Sequence, residues 1–294
     1  MKISLQTIVA TVKHGPDIWR LFRVLSAKEY NCNFFNGRHM LWLRSTLPDL
    51  FIPGASVPTL SRILSKHYSV LRERFSAPII RDMSRDRGVL LYQNPKAPDI
   101  NIYLSTCRPN NKEAELVIQI FAQDTRLFRI GFVIVDENTI FAGNRAGILI
   151  TLLQGYPGQK ELNHATKKAF NDISLDRILF SSLVGLTQHC GLDVIYGIPY
   201  HYQYTYRTRG KEHIADVFAD AYDQFFTRFI HEINSDYYCM DLPLQYKPHD
   251  PERSLSHRKR ADKRRRINDA LSDAVQHNIA AINAGQLVPV ADPA

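Results

Sequence analysis

No run of about 18 apolar residues, the length a helix needs to cross a bilayer, occurs in this 294-residue chain. The longest candidate, Ile173 to Val184, is broken by Asp176 and Arg177, so no membrane-spanning segment is expected. No secretory leader is expected either: Met1 to Leu5 soon meets Lys13, His14, Gly15, Pro16 and Asp17, without a long apolar core or a small-residue cleavage site. The chain is therefore read as mature protein. Cysteine is scarce. Cys32, Cys107, Cys190 and Cys239 are far apart and form no C-x-x-C pair, which suits a reducing, cytoplasmic setting, and all four are read as buried thiols acting as small hydrophobes. None of the eleven histidines forms H-x-x-x-H or joins a cysteine pair at zinc spacing, so no metal site is expected. Repeats and low-complexity linkers are also lacking. With 45% hydrophobic and 22% charged residues, the composition is that of an ordinary globular protein and not of a disordered one.

The formal charge of +8 is concentrated in one place. Between Arg253 and Arg266 stand eight basic residues (Arg253, Arg258, Lys259, Arg260, Lys263, Arg264, Arg265, Arg266) against Asp262, a net of +7 that leaves +1 for all other residues. An electrostatic partner is therefore to be sought at this segment. The run continues through Ile267, Leu271, Val275, Ile279 and Ile282, an i, i+4 stripe. A single helix can start at Asp250, with Pro251 in its first turn, and end near Gly285. Four readings stay open for its cations: phosphates of anionic lipid or lipopolysaccharide, nucleic acid, an acidic partner protein, or a solvated helix whose charges meet acidic groups of the body. No base-reading module accompanies the run, so specific nucleic-acid binding is not expected.

The N-terminal portion reads as helical. Ile18, Leu21, Phe22 and Leu25 have helix spacing, and after Pro58 and Thr59 the series Leu60, Ile63, Leu64, His67, Tyr68, Leu71 predicts an amphipathic helix to about Arg74. From Val89 the rhythm changes to strands at Val89–Tyr92, Ile102–Leu104, Leu116–Phe121, Leu127–Val135 and Ile148–Leu153, read as a meander. Helices are expected over Lys160–Phe170 and Leu175–Cys190, the latter stopped by Gly191, before an inner strand at Val194–Ile198. Strands first and a helix–helix–strand crossover later predict a mixed sheet. Tyr200, Tyr202, Tyr204 and Tyr206 alternate with polar residues, which in a strand puts four rings on one face. A helix over Ala215–Ile233 and a short edge segment at Asp241–Leu244 follow.

Two features could carry chemistry. Leu152 to Gly158 joins a strand to a helix through Gly155 and Gly158, and such a turn either holds phosphate or pyrophosphate on its amides or merely turns tightly. The tyrosine series could stack on bases, grip an acyl chain, or fill the space between sheet and helix. His201 carries an imidazole, a side chain suited to general-base work, and can act as a base or stand by. Asp223, in an aromatic helix, is either a catalytic carboxylate or a helix-anchoring one.

Taken together, these landmarks resemble the VirK/YbjX family of Gram-negative bacterial proteins. The residues that carry the resemblance are Leu60-Ser61 with His67-Tyr68, then Leu153-Gln154-Gly155, Ile195 to Ile198 with His201, Tyr222-Asp223 with Phe225-Phe226, Leu242-Pro243, and Lys259 to Arg266. The resemblance implies a role in virulence, in envelope or surface-protein function, or in survival of cationic antimicrobial peptides. The strand–Gln-Gly-x-x-Gly–helix passage is also similar to the acyl-CoA pyrophosphate turn of GNAT-type acyltransferases.

The resulting expectation is an α/β (α+β) architecture: a helical segment over residues 1–84, a mixed GNAT-like domain over 85–249, a basic helix over 250–285 and a flexible tail over 286–294. Gln154, Gly155, Tyr156 and Gly158 would bind acyl-CoA or acyl-phosphopantetheine, with His201, Asp223 and Tyr222 in acid–base roles. Arg258, Lys259, Arg260, Arg264, Arg265 and Arg266 would meet an anionic lipid, envelope component or partner protein. The setting is cytoplasmic, peripheral at the inner membrane. Two function classes remain open: an acyltransferase-like enzyme, and a non-catalytic accessory factor acting through the basic helix.

Overall fold

The computed structural model describes residues 13–26, 45, 51–107, 113–136, 145–208, 219–229, 237–246 and 254–286. Helix α1 (Gly15–Leu25) buries Ile18 and Leu21. Helix α2 (Val57–Arg74) begins three residues before the start expected from the apolar series, because the Ser56 hydroxyl accepts from the Thr59 amide at 3.3 Å and caps it. Its apolar stripe is buried as expected, His67 and Tyr68 included. A short α3 (Ala77–Asp82) leads into the sheet.

Seven strands follow in sequence order across one sheet: β1 (Val89–Gln93), β2 (Ile100–Thr106), β3 (Leu116–Ala122), β4 (Thr125–Val135), β5 (Gly147–Gly155), β6 (Val194–Gly197) and β7 (Tyr238–Asp241). The first five form the expected antiparallel meander. All seven residues of β3 are buried, so its two faces are both covered. Helices α4 (Lys160–Ala169) and α5 (Leu175–His189) then carry the chain over to β6, which lies parallel to β5. The architecture is the mixed α/β type with a long C-terminal helix.

Three local expectations need correction. Tyr200–Tyr206 is not a strand: Tyr200–Tyr202 form a 3-10 turn and Tyr204–Thr208 a short helix, α6. Gln203 between them is fully buried and donates to the Ile198 carbonyl at 3.4 Å, so the chain winds back on β6 instead of extending. Of the helix expected over 215–233, the described part is a π turn (Ala219–Asp223) running into α7 (Gln224–Thr227) and then a turn at Arg228 and Phe229; 215–218 and 230–233 lie outside the described residues. The edge strand is Tyr238–Asp241, earlier than expected, with Leu242 already past it.

The basic segment is helical as expected. Helix α8 (Leu255–Asn283) starts at a Ser254 cap and not at Asp250; Asp250 and Pro251 lie outside the described residues, as do 287–294 of the expected tail. Leu271, Val275 and Ile279 are buried against the body, where α8 crosses α5 closely. A Cβ added at Gly185 would stand 2.1 Å from the Ser272 carbonyl oxygen. Two amides fix the far half of α8: Asn278 Nδ2 donates to Leu91 O at 2.8 Å, and Asn283 donates to Arg74 O at 2.7 Å while accepting from Ser76 N at 2.9 Å.

Gly185→Ala should therefore push the two helices apart and destabilise the protein by about 1–3 kcal/mol, the range of core overpacking, read as a lowered melting temperature. Gly15→Ala, where nothing lies within 4 Å of the added carbon, should leave it unchanged or raise it.

Candidate functional site

Strands β5 and β6 are paired only over Ile148–Ile150 and Ile195–Gly197. β5 runs on to Gly155, still paired with β4, so its other edge beyond Ile150 has lost its strand partner. Backbone groups left there must find other partners. At Leu153 the partner is Tyr222 of the π turn: its buried hydroxyl accepts from Leu153 N at 3.0 Å and lies 3.3 Å from Leu153 O, to which it donates. Burial holds the Tyr222 phenol well above its ordinary range, so it is neutral.

Beyond Leu153 the turn becomes exposed. Gln154, Gly155 and Gly158 are open to solvent and Tyr156 is half-buried. Gly158 has φ +81, where only glycine is unstrained, and nothing lies within 4 Å of a carbon added to it. Side chains of β4 hold the turn. Arg129 donates to Gln154 Oε1 at 2.8 Å, Arg126 donates to the Tyr156 hydroxyl at 3.1 Å, and both guanidiniums lie within 6 Å of the Tyr156 ring centroid. Tyr156 N is already given to Leu127 O at 3.1 Å.

The adjacent Asp223 reaches the other side of the gap. Its carboxylate accepts from the Tyr200 amide at 3.0 Å and bonds the Tyr238 hydroxyl. Tyr222 and Asp223 thus brace the end of β5, the Tyr200 turn and the edge strand together. His201 is exposed, edge-on to Tyr200 at 5.5 Å and tilted against Tyr202 at 4.3 Å, and no hydrogen bond among the described residues joins it to Tyr222 or Asp223. The tyrosines do not form one wall. Tyr206 is buried edge-to-face on Tyr200 at 5.1 Å, while Tyr200, Tyr202 and Tyr204 are half-buried.

On α8, Lys259, Arg260, Lys263 and Arg266 are exposed, whereas Arg258, Arg264 and Arg265 are half-buried. At 100° per residue the exposed four fall on one side of the helix. One ion pair of this run stays on α8 itself, Arg265 to Asp262 at 3.8 Å. Arg265 also lies over the Tyr246 ring at 5.1 Å. Nearby on α5, burial and the neighbouring charges of Arg228 and Arg264 weaken the hold of Arg177 on its proton. Asp176 beside it is engaged by Arg228 at 2.9 Å. Arg253 lies outside the described residues.

Periodicity pointed to none of Gly185, Asn268, Asn278, Asn283 or Arg177. It marked His67 and Tyr68 only as a core stripe, yet they form a buried polar centre. His67 Nδ1 accepts from Ile134 N at 3.1 Å, past the end of the β3 pairing, and Tyr68 donates to Glu115 Oε2 at 2.5 Å. Of the thiols, Cys190 is buried and pushed up to about 12 by burial. Cys107 and Cys239 are half-buried instead, and Cys32 lies outside the described residues. Among those residues no group of three side chains could hold a metal ion.

Tyr222→Phe should cost about 1–3 kcal/mol, the penalty for leaving buried backbone groups unsatisfied, measured by chemical denaturation at pH 7. The unfolded phenol ionises near pH 10 and the folded one only higher, so its stabilisation is complete below that pH and lost as pH rises beyond it. The wild-type advantage over Tyr222→Phe should shrink in titrations above pH 10; an advantage constant with pH would show that the phenol is not held neutral.

No curated protein and no solved structure matches the chain. Among the described residues no helix is long and apolar enough to cross a membrane. A family described as a protein of unknown function, DUF535, matches residues 9–281, nearly the whole length and every element above, and on that match the chain belongs to the DUF535 family, which is the VirK/YbjX family.

Proposed function

We propose that this protein is a non-catalytic accessory factor that docks on an anionic surface through the first half of α8, in keeping with the envelope and virulence roles that the VirK/YbjX resemblance implies. One observation carries this reading: Lys259, Arg260, Lys263 and Arg266 are exposed on one side of a helix whose second half is locked into the core. Each cation near an anionic bilayer contributes about 1 kcal/mol, within a Debye length of roughly 8–10 Å. Four on a fixed rod suffice for peripheral attachment at the inner membrane without an anchor.

An acyltransferase reading has its own support in the strand–turn–helix–helix–strand crossover and in the way β5 outruns β6. Gln154, Gly155, Tyr156 and Gly158 form an open turn suited to a phosphate of acyl-CoA or acyl-phosphopantetheine. The residues fit such a group only in part, because the Tyr222 hydroxyl takes both Leu153 backbone groups at the adjoining strand edge and Asp223 is engaged by Tyr200 and Tyr238.

The two readings separate in two measurements. Replacing Lys259, Arg260, Lys263 and Arg266 with Gln should weaken binding to phosphatidylglycerol vesicles by roughly a hundred- to a thousandfold with the melting temperature unchanged. Wild-type binding should fall steeply with salt and be missing on phosphatidylcholine. Vesicle binding that survives the substitution would defeat the docking reading. A saturable melting-temperature rise with acyl-CoAs, lost in Gly155→Asp, would favour the enzyme instead.

A further inference from the structure

A cavity of about 320 Å³ lies between α5, the segment that follows β7, and the middle of α8. That is about the lower end of the volumes that hold small ligands. Leu244 and Tyr246 contribute apolar surface, Gln188 faces them from α5, and Asn268, Asp269 and Asp273 line it from consecutive turns of α8. Asn268 is the unusual member. It is only 9% exposed, yet its Oδ1 is buried without a hydrogen-bond partner, a state that native proteins rarely leave uncompensated. The hydroxyls beside it are committed elsewhere: Ser272 Oγ donates to Gln188 Oε1 at 3.3 Å, and the Tyr246 hydroxyl donates to Asp269 Oδ1 at 2.8 Å. The acceptors left over in the cavity are Asn268 Oδ1 and the carboxylate of Asp273, for which no ion pair is found among the described residues. Such a set calls for a donor with several N–H groups and positive charge, which an ammonium supplies.

The surroundings of Tyr246 set a second requirement. Arg265 lies over its ring at 5.1 Å on α8, and Arg177 stands within electrostatic reach of both Tyr246 and Arg264. A bare cation would be repelled by these guanidiniums around Tyr246, whereas a ligand that also carries an anionic end would be drawn to them. The cavity is separate from the β5 turn and from the exposed cations of α8.

We propose that this cavity is a binding site for a small zwitterion, its ammonium directed to Asn268 and Asp273 and its carboxylate or phosphate facing Arg177, Arg264 and Arg265. The test is calorimetric titration of the full chain with 4-aminobutanoate and with 3-aminopropyl phosphate, against butylamine, butyrate and inorganic phosphate. The zwitterions should bind saturably at one site and raise the melting temperature, and the single-charge compounds should bind at least about tenfold more weakly, the scale of one lost charge-assisted hydrogen bond. Whichever of the two zwitterions binds more tightly identifies the anionic group.

Asn268→Leu should abolish this binding while keeping the fold, because exchanging an unpartnered buried oxygen for an apolar isostere is close to neutral for stability. Asp273→Asn, on an exposed position, and Arg177→Gln should each weaken it at least about tenfold by the same reckoning. Failure of both zwitterions to bind, equal binding of the single-charge compounds, or full binding by a folded Asn268→Leu protein would overturn the proposal. The α8 variant lacking Lys259, Arg260, Lys263 and Arg266 should bind the zwitterion normally, so the fate of this site and that of the membrane-docking reading are decided separately.

Discussion

The close crossing of α5 and α8 at Gly185 is the contact on which the other features depend. Because Gly185 has no side chain, the Ser272 carbonyl can come to where a Cβ would be, and the two helices meet backbone to backbone. That approach buries Leu271, Val275 and Ile279 in the same core as the sheet. It also fixes α8 along its second half and leaves the first half to extend past the body. The cavity beside Asn268 lies at the same crossing, where the two helices and the segment after β7 fail to fill the space between them.

A second constraint arises in the sheet. Strands that outrun their neighbours leave backbone groups without ladder partners, and burying such groups unpaired is costly. Here side chains take the place of missing strands. His67 receives the Ile134 amide where β3 has ended, and Tyr222 serves both groups of Leu153 where β6 has diverged. Both residues belong to dipeptides by which the chain resembles its family, His67-Tyr68 and Tyr222-Asp223. Their common physical role is to close a strand edge with one polar atom, and that role accounts for these residue types without any catalytic step.

Much of this was readable from the sequence, and what was missed has a common cause. The antiparallel meander, the crossover to β6 and the length of α8 follow from local periodicity, which a mixed sheet and an amphipathic helix impose directly. The tyrosine series misled because period-2 spacing records only alternation; Gln203, one of the polar residues that alternate with the rings, is the buried one that ties the turn to Ile198. Gly185 sits within an apolar helix and gives no local signal, since its purpose is set by Ser272, far along the chain. Asn268, Asn278 and Asn283 fall on the polar positions of α8 for the same reason, although two of them are the bonds that lock the helix down. The basic run was legible as charge. Its division into an exposed side and a half-buried side depends on where the body lies, which no periodicity of α8 alone contains.

That division bears on why the charge is there at all. The first turn of α8 has no acidic residue, and cations near a helix N-terminus oppose the helix dipole at a cost of about 0.3–1 kcal/mol each. Lys259 and Lys263, and likewise Arg260 and Arg264, stand at i, i+4, where like charges cost roughly a further 0.2–0.5 kcal/mol per pair. The ion pair from Arg265 to Asp262 is a weak one within the helix itself. Acidic residues in the same places would have made a better helix, with a Ser254 cap already present to start it. The protein keeps seven cations in this stretch of α8 against its local stability, and the far half, fixed by the Gly185 crossing and the two asparagines, is what allows the strained half to remain helical. A charge held in place against the helix's own preference is the feature on which the proposed docking to an anionic surface rests.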